Sequence, residues 1–331
     1  MYARAGLYNT TLQVQIIREK QQEKILEWIC PNRAGYLKPK CMDSEEVENT
    51  CHQFLQSKEY LNWAGNRRPS TFICTGQRMS LATSNSLTLV LKLGPENHIS
   101  CPLAIYNFAD ISSVIFHRLR GNPRLGISYF IFNHSNREQS AEDVIRFLLR
   151  QVVAQLPSVP ADIQTEYYKF KNDPHQVIPN KDKFRSLLRS SLKHIATSSS
   201  PLSFVLLDAY DEFRNGPEEE HEREALRSCL SEISHAGLAK ILITTRDHCQ
   251  KELERAFADS QVAEYKGDIR DVERYLDLKL QFPKRKPRLK NLIRNTILEA
   301  NKKEPWYNSS KVLSHRTGFC LPVCNCIRFS Q

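Results

Sequence analysis

Acidic residues follow a strand-like apolar run in a pattern suited to metal and phosphate chemistry. The segment FVLLDAYDEF, residues 204–213, places Asp208 after four apolar residues, and Asp211 and Glu212 follow. A carboxylate at the carboxyl end of a strand can hold Mg²⁺, which prefers one or two carboxylates together with phosphate oxygens. Asp211 and Glu212 could then orient or deprotonate a water that attacks a terminal phosphate. The alternative is a buried strand with an acidic surface turn, but the D-small-x-D-E spacing favours the chemical interpretation.

A second apolar run ends in polar residues that suit a phosphate. In ILITTRD, residues 241–247, the run is followed by Thr244, Thr245 and Arg246. An arginine keeps its charge at all physiological pH values, and its donors match phosphate oxygens. Taken alone, the pattern is typical of an ordinary strand with a surface arginine. Next to the strand that carries Asp208, it favours contact with a γ-phosphate.

These side chains can meet only if their strands lie in one sheet. Buried strand patterns alternate with amphipathic helix patterns, which predicts an α/β fold with a parallel sheet covered by helices on both faces. The strand patterns lie at 126–132, 202–208 and 239–247, and the helix patterns at 140–156, 183–195 and 217–235. Ser140 and Asp143 have capping-box spacing at the start of one helix. Ligands bind at the carboxyl edge of such sheets, so we expect Asp208 and Thr245 side by side there.

The first 66 residues predict a helical leader before this core. One helix is expected over 11–29, with Val14, Ile17, Ile25, Leu26 and Ile29 as its apolar positions. A second is expected over 43–63, because Asp43 can cap it and acidic residues crowd its first turn.

Composition places few limits on function. Hydrophobic residues make up 40% and charged residues 25% of 331 positions, which is ordinary for a globular protein. The net charge of +10 is scattered except in PKRKPRLK, residues 283–290, whose prolines favour a linker over an anion-binding patch. Charge alone therefore does not favour a nucleic-acid partner. The cysteines show no paired spacing across most of the chain, which suits a reducing compartment such as the cytoplasm. No stretch approaches the ~18 consecutive apolar residues of a membrane-spanning helix, so we expect a soluble cytoplasmic protein without a membrane partner.

Five segments, in order along the chain, resemble the nephrocystin-like N-terminal domain of NACHT-type signal-transduction NTPases. They are KILEWICP (24–31), ENTCHQFLQSKEYLNW (48–63), VLLDAYDEF (205–213), ILITTRD (241–247) and DIRDVERYL (268–276). Tyr210 stands where the family has a leucine. The resemblance covers roughly residues 22–76 and 111–303.

The resemblance implies a P-loop NTPase core that binds ATP or GTP with Mg²⁺ and assembles under nucleotide control. Proteins of this kind are fungal, carry ankyrin or other repeats, and act in signal transduction and non-self recognition, with self-association or repeat domains as partners. By the same resemblance, Asp208 would hold the metal, and Asp211 and Glu212 would be catalytic. Gly76, Thr245 and Arg246 would contact the nucleotide.

The phosphate-binding loop of the family is missing. The family writes it C-x-G-x-x-G-x-G-K-T, directly before a helix similar to SSVIFHRLR, residues 112–120. This chain has CTG at 74–76, and then residues 77–110 replace the glycines, the lysine and the threonine. GNPRLGIS, residues 121–128, has Ile127 in place of the lysine and leads into a strand, so it is no substitute. A gene-model error and a genuinely degenerate NTPase both explain the loss. The segment 77–110 has a lone apolar run and no clear helix or strand period, and we expect it to be poorly packed and to lie across or beside the phosphate site.

The loss predicts weak nucleotide binding. Charge-assisted hydrogen bonds contribute roughly 1.5–3 kcal/mol each, so losing three weakens binding by about a thousandfold or more. The sequence thus predicts an impaired nucleotide-binding NACHT domain or, alternatively, a non-catalytic interaction module that keeps the fold. The expected regions are a leader (1–66), the NTPase core (67–281), the start of a helical region (282–303) and a patternless tail (304–331).

Overall fold

The computed structural model describes the backbone of most of the chain up to residue 265. The described residues are 2–31, 36, 38–39, 51–66, 68, 70–76, 87–92, 98–103, 108–122, 125–133, 136, 139–198, 203–213, 219–265, 291, 295 and 326–328. The helices are α1 (Tyr2–Ile29), α2 (His52–Leu55), α3 (Lys58–Gly65), α4 (Phe108–Arg120), α5 (Ala141–Ala154), α6 (Ala161–Asn172), α7 (Lys181–Ser198), α8 (Glu220–His235) and α9 (Asp247–Ala256). The strands are β1 (Thr71–Gly76), β2 (Leu87–Lys92), β3 (His98–Leu103), β4 (Gly126–Ile131), β5 (Ser203–Asp208), β6 (Lys240–Arg246), β7 (Gln261–Glu264) and β8 (Cys326–Arg328).

Five of these strands form one parallel sheet in the order β4-β5-β6-β1-β7. The register pairs Leu207 with Ile243 and Gly76 with Arg246, so the carboxyl ends of the three central strands reach the same edge. This arrangement confirms the predicted α/β fold with a parallel sheet.

Helices cover both faces because side chains along each strand alternate between them. On one face, Ile73, Val205 and Ile243 join a large apolar cluster to which α1, α5, α7, α8 and α9 contribute. On the other face, Phe72 and Leu242 join a smaller cluster with α2, α3 and α4. Burial on both sides explains why these strands read as uninterrupted apolar runs in the sequence.

The edge position of β4 modifies one expectation. The near-continuous apolar run at 126–132 predicted a strand buried on both faces. In the structure its residues alternate between buried and half-buried, with Ile127, Tyr129 and Ile131 half-buried. The reason is that β4 has only one neighbouring strand among the described residues, β5.

Two helices of the core form as their sequences predict. Helix α5 begins with a complete capping box, in which the Ser140 hydroxyl accepts from the Asp143 amide and the Asp143 carboxylate accepts from the Ser140 amide. Helix α7 buries the predicted apolar stripe. The stripe consists of Phe184, Leu187, Leu188, Leu192 and Ile195.

The leader helix is attached to the core through its carboxyl end. Ile25 and Ile29 are buried as predicted, but Ile17 is 63% exposed, and Val14 lies outside the described side chains. The last carbonyls of a helix have no partners within it. Here Arg146 donates to the carbonyls of Trp28 and Ile29, and Arg150 donates to those of Leu26 and Cys30.

The predicted helix over 43–63 is two helices in its described part. α2 ends at Leu55, and Ser57 begins α3 by accepting from the Tyr60 amide through its hydroxyl. A serine can bond the backbone in this way, which favours a helix start over a helix interior. Residues 43–50 lie outside the described residues.

α3 is joined to the start of β6 by a buried lysine. Lys240 is fully buried and donates from Nζ to the carbonyls of Trp63 (2.6 Å) and Ala64 (2.8 Å), at the carboxyl end of α3. Burial lowers the pKa of the Lys240 ammonium group to about 8. The carboxyl end of a helix carries partial negative charge, which favours a cation at this position.

The segment 77–110 contains two strands, although its sequence shows no clear strand period. β2 and β3 pair antiparallel, and β8 pairs parallel with β2, in a separate three-stranded sheet. β2 coincides with SLTLVLKL, residues 86–93, whose leucines and valine suit a strand. β8 lies in the tail that was expected to be patternless. Residues 77–86, 93–97 and 104–107 of the segment are outside the described residues, and residues 108–110 begin α4.

No helix in the described part of the chain is both long and apolar enough to span a membrane.

The capping box gives a direct stability test. Ser140→Ala removes the hydroxyl that satisfies the Asp143 amide, so the free energy of unfolding should fall by ~1 kcal/mol. Urea denaturation followed by circular dichroism measures the change. Ser158→Ala, at an exposed position outside the helices, is the control and should have little effect. A loss no larger than that of the control would show that the box does not stabilise α5.

Candidate functional site

Asp208 lies at the carboxyl edge of the sheet and is held from two sides. It is 2% exposed, and its Oδ1 accepts from the hydroxyls of Thr244 (2.5 Å) and Ser112 (2.8 Å). Thr244 is on the neighbouring strand β6, and Ser112 is on α4. The carboxylate therefore links β5, β6 and the helix that packs on this face.

Burial is the main influence on the pKa of the Asp208 carboxyl group. Loss of solvent raises the pKa of this carboxyl above its ordinary value, while the hydrogen bonds from Thr244 and Ser112 lower it. The charges of Glu212 and Asp211 raise the pKa further. The ionised form thus costs free energy in the folded protein, and the two hydroxyls offset part of that cost.

The turn after Asp208 is tied to the same threonine. Ala209 has a φ of 57° and a ψ of 47°, a left-handed conformation that is rare for a residue other than glycine. Its amide donates to Thr244 Oγ1 (2.9 Å). A short 3₁₀ helix, Tyr210–Glu212, follows and presents the acidic pair. Thr244 therefore fixes both the carboxylate and the backbone of the turn.

Arg246 contacts the acidic pair directly. Its Nε lies 2.8 Å from Asp211 Oδ2, and its Nη2 lies 3.9 Å from Glu212 Oε1. Asp211 is buried, whereas the Arg246 side chain is 31% exposed. The guanidinium group proposed to contact phosphate is thus paired with the carboxylates proposed to act on water.

A buried network holds the turn from the other side. The Tyr210 hydroxyl donates to Glu252 Oε1 (3.0 Å) on α9. The guanidinium of Arg223 lies 5.0 Å from the centre of the Tyr210 ring, and Arg223 and Arg227 of α8 both pair with Glu252. Burial raises the pKa of Tyr210 well above its ordinary value, so the phenol stays protonated as a donor. A tyrosine at this position adds polar contacts that a leucine could not make.

The structure brings together most of the residues that the sequence singled out. Arg246 pairs with Asp211 and lies 3.9 Å from Glu212, and both acidic residues are on the turn that directly follows Asp208. Gly76 is the register partner of Arg246 at the same edge. Thr245 is also at this edge, but its side chain does not join the cluster.

Thr244, not Thr245, is the partner of Asp208. Successive side chains of a strand point to opposite faces, so only one of two adjacent threonines can point toward α4. The buried hydroxyl of Thr245 makes no hydrogen bond to Asp208 and lies beside the Cys249 thiol of α9 instead. Sequence reasoning gave Thr244 no separate role and missed Ser112 altogether. The period of the strand would have separated the two threonines, whereas Ser112 carried no motif of its own.

The described residues do not form a metal site by themselves. Among them, no group of three or more histidine, cysteine, aspartate or glutamate residues could hold an ion. Asp208 Oδ1 already accepts two hydroxyl protons. A magnesium ion at this edge would need phosphate oxygens and water for most of its coordination, as is usual for nucleotide-bound Mg²⁺.

The fold and the edge cluster define the described core as an α/β domain with a parallel five-stranded sheet and paired charges at its carboxyl edge. Residues 109–246 match the family model described as "Nephrocystin 3, N-terminal". The resemblance to the nephrocystin-like domain of NACHT-type NTPases, a family of nucleotide-binding domains, is confirmed over these residues. The match begins at residue 109, close to the end of the segment 77–110, and ends at Arg246, so it includes the acidic cluster and excludes Gly76.

Two other comparisons add little. No curated protein matches the chain. Among solved structures, the chain is similar to the ORC1 protein of Aeropyrum pernix in complex with DNA, at 11% identity and a TM-score of 0.37, over 88% of this chain and 69% of that one. A likeness this remote does not establish a shared architecture.

The adjacent threonines provide a matched pair of variants. Thr244→Val removes a donor to Asp208 and the acceptor of the Ala209 amide, so it should lower the free energy of unfolding by about 1–3 kcal/mol. Thr245→Val replaces a buried hydroxyl that bonds neither Asp208 nor the Ala209 amide, so it should cost less stability than Thr244→Val. Urea denaturation at neutral pH compares them. Equal losses in the two variants would contradict the assigned roles.

Asp208→Asn tests the cost of the buried charge. Because the folded-state pKa of Asp208 is raised, the wild type binds this proton more tightly when folded, and it loses stability as pH rises through that pKa. The neutral asparagine keeps an oxygen acceptor for both hydroxyls. We expect its stability advantage over the wild type to grow as pH rises from about 4 to 7, where 4 is close to the ordinary aspartate pKa.

Denaturation curves across this pH range measure the advantage of Asp208→Asn. Asp259→Asn, which removes an exposed carboxylate, is the control. A difference between Asp208→Asn and the wild type that stays constant over this pH range would mean that Asp208 is not destabilised by its charge.

Proposed function

We propose that this chain is a NACHT-type nucleotide-binding domain of a fungal signal-transduction protein in which nucleotide binding is impaired. The observation that carries the proposal is the cluster of Asp208, Asp211, Glu212 and Arg246 at the carboxyl edge of a parallel sheet, within the segment that matches the family. In the intact family arrangement Asp208 would hold Mg²⁺, and Asp211 and Glu212 would act on the attacking water. Thr245, Arg246 and Gly76 would lie next to the nucleotide phosphates.

The residues present do not fit a tightly held triphosphate. Such a ligand needs a run of backbone amides and a lysine at the amino end of a helix. The segment 77–110 contains a single lysine, Lys92, and a single glycine, Gly94, in the order KLG, which is not that motif. Lys92 belongs to β2, which pairs with β3 and β8 rather than with the five-stranded sheet. We therefore assign no hydrolytic step to this chain.

The ion pair at the edge adds to the impairment. Arg246 already pairs through Nε with Asp211, 2.8 Å away, so a phosphate would compete with this buried carboxylate for the same guanidinium group. Breaking one side of a buried pair is costly because the remaining charge has lost its partner. A nucleotide without the amide and lysine contacts has little binding free energy with which to offset that cost.

The same ion pair favours a second candidate function. Because Arg246 and Asp211 neutralise each other within the chain, the edge keeps satisfied charges without any nucleotide. The domain could then act as a non-catalytic interaction module that retains the NTPase fold. Its partners would be further copies of the chain or repeat domains, as the family resemblance implies.

Calorimetric titration distinguishes impaired binding from intact binding. We expect ATP with Mg²⁺ to bind the chain no more tightly than about 1 mM, and we expect no hydrolysis above background, because about three charge-assisted hydrogen bonds are absent. GTP should behave in the same way. Micromolar binding of either nucleotide would contradict the proposed impairment.

Restoring the phosphate-binding loop tests whether the remaining residues of the site can support nucleotide binding. Replacement of residues 77–110 with a loop of the form G-x-x-G-x-G-K-T should restore micromolar binding, since the acidic cluster and Arg246 remain in place. In this restored chain, Asp208→Ala should abolish the magnesium dependence of binding, and Glu212→Gln should spare binding while stopping hydrolysis. The matched control changes the lysine of the new loop to alanine. No binding by a folded restored chain would favour the interaction module.

A further inference from the structure

The backbone amides and carbonyls along the outer side of β4 form no hydrogen bonds to another described strand. The Phe132 amide donates to the Asp208 carbonyl, and β4 pairs with β5 in continuous register. In a parallel strand, alternate residues direct their amides and carbonyls to opposite sides. The amides and carbonyls of Ile127 and Tyr129 therefore point away from β5, toward the side where no further strand is described.

Two glutamines of α5 bond these backbone groups. Gln155 Oε1 accepts from the Ile127 amide (2.8 Å), and its Nε2 donates to the Ile127 carbonyl (2.7 Å). Gln151 Oε1 accepts from the Tyr129 amide (3.2 Å), and its Nε2 donates to the Tyr129 carbonyl (2.8 Å). Each side-chain amide thus satisfies both backbone groups of one strand residue, as a neighbouring strand would do.

The glutamine contact can repeat along β4 because the rise of one helical turn nearly equals the rise of two strand residues. Four residues of a helix rise ~6 Å, and two residues of a strand rise ~6.6 Å, so glutamines four apart face alternate strand residues. One turn earlier on the same side of α5 lies Phe147, whose side chain has no amide group. Its ring packs edge-on against the rings of Tyr129 and Phe130. The two glutamines therefore cover two consecutive outward positions of β4, and an aromatic ring packs beside them.

The strand itself has none of the usual protection against pairing with another strand. Edge strands avoid such pairing with charged residues, prolines or bulges. GISYFI, residues 126–131, has no charge and no proline, and its register with β5 shows no bulge. Short segments that are apolar, rich in residues that favour strands and uncharged are prone to pair with copies of themselves.

We propose that Gln151 and Gln155 form an intramolecular clasp that closes the β4 edge and prevents strand pairing with a second copy of the chain. A side-chain amide suits this role because it carries a donor and an acceptor with the geometry of a peptide group. Beside the clasp lies an open groove of about 480 Å³, lined in part by Phe116, Arg120 and Leu125. This groove leaves the strand accessible once the glutamines are removed.

The test replaces both glutamines in the full chain. Gln151→Met with Gln155→Met keeps the side-chain length but removes both hydrogen-bonding ends. We expect hydrogen exchange at the amides of Ile127 and Tyr129 to accelerate by about tenfold or more in dilute protein. We also expect sedimentation velocity to show concentration-dependent association beyond that of the wild type.

Two further variants separate edge pairing from general damage. The pair Gln164→Met and Gln250→Met makes the same chemical change on α6 and α9, away from β4, and should associate no more than the wild type. Gln151→Met with Gln155→Lys also opens the clasp but places a charge at the edge, so its amides should exchange fast while association stays at the wild-type level.

The proposal is overturned if the double methionine variant, folded by circular dichroism, associates no more than the wild type. It is equally overturned if the lysine-containing variant associates as strongly as the double methionine variant. Unchanged exchange at Ile127 and Tyr129 would show that the glutamines do not cover the edge.

Discussion

A buried carboxylate must be hydrogen-bonded, and the functional edge of this domain is organised around that requirement. Asp208 is removed from water at the end of β5, and one of its oxygens accepts from hydroxyls on β6 and α4. Because the same Thr244 oxygen accepts from the Ala209 amide, the position of the acidic turn depends on this contact as well. The left-handed conformation at Ala209 persists because the surrounding hydrogen bonds determine it. Sheet, helix and turn are thus connected at one side chain that costs stability when it is charged.

Charge around this carboxylate is balanced within the chain. Arg246 neutralises Asp211, while Tyr210, Arg223 and Glu252 connect the back of the turn to α8 and α9. In a nucleotide-binding relative of this fold, phosphates and a metal ion would share in that balance. Here the acidic residues have protein partners of their own, so the geometry of this edge does not depend on a bound ligand. This is the physical basis for regarding binding and folding as separable in this chain.

Sequence patterns predicted the elements whose surroundings are uniform. The strands that carry Asp208 and Arg246 are buried on both faces, so they appear in the sequence as uninterrupted apolar runs. The apolar stripe of α7 and the capping box of α5 depend only on local residue spacing. All of these elements could therefore be recognised without tertiary information. Prediction failed where neighbours decide the outcome. The half-burial of β4 follows from its edge position, and the presence of β2 follows from its pairing with β3 and β8. The break at Ser57 is a different case, because it depends on a local side-chain bond that the helix pattern over 43–63 did not reveal. The choice between Thr244 and Thr245 required the phase of the strand relative to α4, which motif comparison does not supply.

The two edges of the sheet place different demands on the chain. At the carboxyl edge, polar side chains converge because the ends of parallel strands bring them together, and their mutual pairing keeps them buried. Along β4, the backbone itself is the polar surface, and it is covered by side chains whose spacing on α5 matches that of the strand. Helix α5 therefore serves two purposes that use different faces. Its apolar face fills the core beside α7, and the row that carries Gln151 and Gln155 completes the hydrogen bonding of the outermost described strand. Substitution of Gln151 and Gln155 should change the self-association of the domain and leave the acidic cluster intact. The reason is that no described contact links the two glutamines to Asp208, Asp211 or Arg246.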